Sequence, residues 1–210
     1  MRTDGRVTMI GIFKAIGLQG LSTLPDIHFA MRQLVTRQTL NRVSKELSEN
    51  GSLKREIIYI GQGGRFVLVS LSDNGRDFIE DELQQPAVES DWEKLERGHE
   101  GQRFPRHTAS VLAFAYHARL RGWQVEVMPE AKGKINAVPD VWVSNDDEDY
   151  YVEVEVMGKG GSRKRRRKWE LSYDLQERVA VCTPDRNRRR IAVAEIRERH
   201  FAGMPPTWLR

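Results

Sequence analysis

Between residues 36 and 50 the apolar positions Leu40, Val43 and Leu47 recur at helical spacing, with Thr36 placed to cap the helix and Gly51 to stop it. The opposite side of that helix is polar. Arg37, Gln38, Asn41, Arg42 and Lys45 lie on it towards the N-terminal half, and all five side chains can donate to phosphates or base edges in a major groove. Two segments come before it: an apolar one around Ile10 to Leu18, and one from Pro25 to Leu34 that carries proline in its first turn. After Gly51 the period shortens to that of strands. Leu53 to Ile60, a tip of Gly61, Gln62, Gly63 and Gly64, and Arg65 to Leu71 predict a hairpin, with Arg65 within reach of a backbone phosphate. Ser72 to Gly75 then open a last helix, Arg76 to Leu83.

A polar, turn-rich stretch follows, with Pro86, the acidic residues between Glu89 and Glu96, Gly98, Gly101 and Pro105. It predicts a linker over 86–105 in which Trp92 and Leu95 can form a short helical turn docked on one domain. Beyond it the pattern predicts a helix over 106–121, strands at Trp123 to Met128, Ala137 to Val143 and Tyr150 to Met157, a helix from Ser162 to Gln176, and a strand from Arg178 to Cys182. The third strand alternates cleanly. Val152, Val154 and Val156 face one way and Tyr151, Glu153 and Glu155 the other.

Charge sharpens this division. The 210 residues carry a net +4, and residues 101–210 hold 21 Lys/Arg against 15 Asp/Glu, whereas residues 1–88 hold 11 against 10. Arg163 to Lys168 are six consecutive basic residues, and Arg186, Arg188, Arg189 and Arg190 form a second cluster. Phosphate is the partner such runs suit, and a solvated helix face is the alternative. A single cysteine, Cys182, excludes an internal disulfide framework and a zinc site of paired thiolates, so a metal here would need oxygen ligands and a reducing cytoplasm fits. No apolar run is long enough for a membrane helix, and residues 1–6 lead into no signal-peptide core.

The stretch TRQTLNRVSKELSENGSLKREI, followed by RFVLVSLSDNGRDF, resembles the winged helix-turn-helix domains of many bacterial regulators, a likeness covering most of residues 8–84. It implies contact with duplex DNA, although some such domains only dimerise or dock proteins. The second region, with Pro139-Asp140 on one strand and Glu153-Val154-Glu155 on the next, resembles the restriction endonuclease-like, or PD-(D/E)XK, fold. That resemblance implies a mixed central sheet, metal ligation by Asp140 and Glu153, and a water-orienting role at position 155, where glutamate replaces the usual lysine. Lys159 in a glycine loop, or Lys164 or Lys168 on the helix, could stand in for it. The two halves together also resemble, loosely, replication-relaxation type proteins of mobile elements, which implies work on mobile-element DNA with or without cleavage.

The residues alone support a related chemistry. Glu153 and Glu155, two apart on a strand, share a face, and a neighbouring strand can bring Asp140 to the same point. Three carboxylates meeting there repel one another unless a cation intervenes, and oxygen ligation favours Mg²⁺ or Mn²⁺. An edge strand with a solvated polar face would give the same alternation. The expected protein is α/β: a winged helix over 1–85 and a nuclease-like domain over 106–210 that hydrolyses DNA phosphodiesters. The competing reading is a catalytically inactive regulator or replication/mobilisation accessory factor. Arg37, Gln38, Asn41, Arg42, Lys45, Arg65, Lys159, Arg163, Lys164, Arg167 and Lys168 are the expected contacts to DNA, with duplex the expected form and single strands the alternative. A palindromic target would call for a homodimer.

Overall fold

The computed structural model describes residues 3–32, 34–61, 64–129, 138–156, 162–177 and 179–200. The chain is mixed α/β and divides into two compact units, Met1–Ala109 and Ser110–Arg210. No helix among the described residues is long and apolar enough to cross a membrane.

In the first unit, helices α1 (Thr3–Gly17), α2 (Leu24–Ala30) and α3 (Arg37–Glu49) precede an antiparallel hairpin of β1 (Leu53–Gly61) and β2 (Gly64–Leu71), and α4 (Asp73–Leu83) follows. The caps are those the sequence predicts. Thr36 Oγ1 accepts the Thr39 N–H at 3.1 Å, Ser72 Oγ accepts the Gly75 N–H at 3.2 Å, and Gly51 takes the left-handed conformation past the end of α3. A cap is worth about 1 kcal/mol, while each large aliphatic side chain taken fully out of water contributes about 1.5–3 kcal/mol. The shared core therefore sets the arrangement. Ile12, Phe13 and Ile16 of α1, Ile27 of α2, Leu40 of α3, Leu71 of β2 and Ile79 of α4 meet there, all nearly inaccessible to solvent.

The stretch that composition marks as a linker belongs to this unit. Residues Asp91–His99 form α5, opened by a reciprocal cap between Ser90 and Glu93. Trp92 is buried, its backbone N–H donating to Ser22 Oγ at 2.7 Å and its indole N–H to Glu56 Oε1 at 2.9 Å. Gln102 donates to the other Glu56 oxygen at 2.8 Å, so β1 holds both ends of the segment. Its glycines and prolines mark the turns around a docked helix. The next helix, α6 (Pro105–Leu120), begins in the first unit and ends in the second.

The second unit is built on a four-stranded sheet of β3 (Gln124–Val127), β4 (Val141–Ser144), β5 (Asp149–Val154) and β6 (Ala180–Cys182), in that spatial order. The first two pairings are antiparallel and the last is parallel, which requires the crossover helix α7 (Ser162–Gln176). Val127, Val141, Val143, Val152 and Val154 are buried. Trp169 of α7 packs with Val179, Ala192 and Ile196, and Tyr173 lies beside them, so this aromatic pair belongs to the core. The predicted strands are shorter than their apolar runs: β4 starts at Val141 and β5 stops at Val154. Cys182 is only half-buried. A final helix, α8 (Arg186–His200), forms where the apolar pattern predicts none, because its buried stripe of Ala192, Glu195 and Ile196 includes a charge.

One glycine of the first unit is required by close approach. A Cβ on Gly75 would sit 2.2 Å from the carbonyl oxygen of Ser52, where α4 crosses the start of β1. Gly75→Ala should therefore lower the unfolding free energy by about 1–3 kcal/mol, as overpacking does, in urea titrations followed by circular dichroism. Gly122→Ala, with open space around its Cβ, provides a comparison limited to the strain of its positive φ.

Candidate functional site

Asp140 is the residue before β4 and Glu153 lies near the end of β5. Val141 pairs with Val152 in antiparallel register, so one further step sets Asp140 opposite Glu153. Both are buried, at 0% and 5% exposure. Asp140 Oδ2 accepts the Val154 backbone N–H at 2.7 Å, extending the ladder by a side chain where β4 begins. It also accepts from Lys168 Nζ at 3.2 Å. The same ammonium lies 2.6 Å from Glu153 Oε2, so one cation meets both acids. α7 brings Lys168 here because the neighbouring Trp169 is locked in the core and fixes the helix's rotation.

Burial pushes the Glu153 carboxyl up to about 8, with Asp140 adding to the rise and Lys168 opposing it. Burial alone would draw Lys168 down, but the carboxylates of Asp140 and Glu153 outweigh it and hold the ammonium above its ordinary value. Lys168 therefore stays charged at neutral pH. The group offers two hard oxygen donors, which suit a divalent cation of the Mg²⁺ or Mn²⁺ class, and such an ion would compete with Lys168 for them.

Glu155 does not join this cluster. It lies one residue beyond β5, half-buried, with its backbone N–H donating to the Cys182 carbonyl at 2.9 Å, and its charge acts on Arg165. Among the described residues, the carboxylate oxygens of Asp140, Glu153 and Glu155 do not all come within 4.8 Å of one another. The two-residue alternation that predicts their convergence holds only within a pleated strand, and the strand has ended by position 155.

The basic run also divides. Six successive residues exceed one helical turn of 3.6, so the run must encircle α7 and cannot form a single face. Arg165 points inward and grips Glu195 with two hydrogen bonds, of 2.6 and 3.1 Å, while the Trp169 indole donates to the same carboxylate at 3.2 Å. Burial raises Glu195, but these donors prevail and hold it below its usual value. Arg167 lies 3.5 Å from Glu170. Arg163 and Lys164 are exposed, and Lys168, half-buried, faces Asp140 and Glu153. Lys159 lies outside the described residues. Asp146, Asp147 and Glu148 form an exposed hairpin tip, where Asn145 Oδ1 accepts two backbone N–H groups.

On the first unit's polar helix face, all five expected contacts are exposed. Arg42 pairs with Glu46 at 2.6 Å and Lys45 with Glu49 at 3.6 Å, one turn apart. Such exposed pairs contribute roughly 0.3–0.5 kcal/mol and give way readily to a stronger anion. Asn41 is held more firmly: Arg55 of β1 donates to its Oδ1 at 2.7 Å. Arg65, opposite Tyr59, is exposed.

Glu153→Gln isolates the effect of the buried acid. A carboxyl raised in the folded state contributes stability that is complete below its ordinary 4.5 and is lost as pH rises through about 8. The variant lacks this loss. Its melting temperature relative to the parent should therefore climb between those two pH values in differential scanning calorimetry, and a constant difference would show that Glu153 titrates normally.

Comparisons with protein families and with curated proteins find no match for the chain.

Proposed function

We propose that this is a DNA-binding protein whose second unit hydrolyses phosphodiesters with a divalent metal, in the manner its resemblance to PD-(D/E)XK nucleases implies. The supporting observation is the meeting of Asp140, Glu153 and Lys168 at one end of the sheet, with the two acids on adjacent strands and the lysine on the crossover helix. Asp140 and Glu153 would hold the metal, which when bound supplies charge neutralisation at the phosphate and a nucleophile at neutral pH. Lys168, displaced from the carboxylates, would turn its ammonium to a phosphate oxygen and take the part that the absent lysine at position 155 leaves open. Glu155 would be a flanking group and not a primary ligand. The first unit's order of three helices, hairpin and helix supports the winged-helix reading, in which α3 presents Arg37, Gln38 and Arg42 to the duplex.

A second reading is favoured by the same contacts. An ammonium 3.2 Å from Asp140 and 2.6 Å from Glu153, an acid that keeps its proton up to about pH 8, already leaves the group balanced, which would suit a regulator or accessory factor that keeps the fold without cleavage.

Nicking of supercoiled plasmid separates the two readings. With Mn²⁺ or Mg²⁺ the hydrolase accumulates open circles, Asp140→Asn and Lys168→Met each lower the rate by about a hundredfold or more, and duplex affinity persists. Duplex binding in EDTA, with no nicking under either ion, would establish the non-cleaving protein.

A further inference from the structure

We infer that the surface of the second unit that takes nucleic-acid phosphates is the outer face of α8, and not the longer basic run on α7. The inference rests on the proposed DNA-binding function and assigns it a second contact surface. Arg186, Arg190 and Arg197 fall within about 40° of one another around the helix, at 100° per residue, and all three are exposed. Their stripe lies opposite the side that Ala192, Glu195 and Ile196 bury against α7. It extends over about 16 Å, enough to meet several phosphates, which succeed one another every ~3.4 Å of axis along one strand.

What distinguishes α8 from α7 is how the charge is used. On α7, Lys168 faces Asp140 and Glu153, Arg165 grips Glu195 and Arg167 faces Glu170, so that half of the six-residue run is engaged internally and Arg163 and Lys164 remain exposed at the start of the helix. On α8, Arg186, Arg190 and Arg197 make no ion pair or side-chain hydrogen bond among the described residues. Asp185 caps the helix by accepting the Arg188 N–H at 2.9 Å, but no acidic residue stands within the first turn, and Arg186 and Arg188 lie at the end where the helix dipole disfavours cations. Among the described residues the Arg186, Arg190 and Arg197 guanidiniums thus have no carboxylate to answer them, and their charge is open to an external polyanion. A membrane surface suits the face less well, because the helix's aliphatic side is already committed to the core and the outer face offers little beyond Ile191 and Val193 for insertion.

The full-length chain, its triple variant Arg186→Ala/Arg190→Ala/Arg197→Ala, the matching triple Arg→Lys variant, and Arg37→Ala/Arg42→Ala on α3 would be titrated against a mixed-sequence duplex by fluorescence anisotropy between 50 and 200 mM salt, about a Debye length of 14 to 7 Å. Each phosphate contact contributes about 0.9 to the slope of log K on log salt, so the alanine triple should lower that slope by nearly 3 while the lysine triple keeps it. Melting temperatures should not fall, since no ion pair among the described residues is lost. A parental slope in the alanine triple, with a reduced slope in the α3 variant, overturns the inference and leaves DNA binding intact. Absence of duplex binding by the parent overturns both. Preference of the parent for phosphatidylserine vesicles over duplex, abolished in the alanine triple, would also overturn it by assigning the face to lipid.

Discussion

Two buried acids held at the same end of a sheet, Asp140 before β4 and Glu153 within β5, need compensation, which comes from the Lys168 ammonium of α7 and from the proton that Glu153 keeps up to about pH 8. Much of the second unit follows from this contact. The same setting of α7 that buries Trp169 turns Lys168 to the sheet and brings Arg165, three residues earlier, to Glu195, which ties down α8. Removing one partner from a buried ionic group costs on the order of 3–5 kcal/mol, a large share of the 5–15 kcal/mol that holds an ordinary domain together. An apolar cluster of equal volume would hold the helix as well or better, so an ionic solution at this position suggests chemistry more than stability.

The first unit is held in the opposite way. Its hydrophobic core joins all four of its first helices to the hairpin, while its polar contacts act as locks at the periphery. Glu56 illustrates this. Its two oxygens receive Trp92 and Gln102, so one side chain on an otherwise ordinary strand closes the segment after α4 onto the hairpin.

Local patterns made much of this legible. α3, its cap and its exposed face were readable because a single amphipathic period and one threonine determine them. The hairpin followed from the switch in period. Asp140 and Glu153 were readable as a pair because strand register is short-range arithmetic. The assignment of charges within α7 was not. A run of six basic residues looks uniform in sequence, and only the burial of Trp169 determines which members turn inward. Glu155 was misplaced because strand ends are set by tertiary pairing, and α8 was overlooked because its buried stripe contains Glu195, a charge that only Arg165 makes tolerable. The docked turn at Trp92 and Leu95 was legible from two apolar residues, whereas its full extent as α5 was not, because caps and flexible connections use the same residues.

The bridge from Arg55 to Asn41 joins the hairpin to the helix that carries the polar face. The same guanidinium also reaches the Asn41 carbonyl and Ser44 Oγ, each at 3.4 Å, so it is tied to the helix at three points. Because an amide oxygen has two lone pairs, Asn41 keeps acceptor capacity while this bridge stands. Strand and helix thus hold one another's geometry at the exposed face.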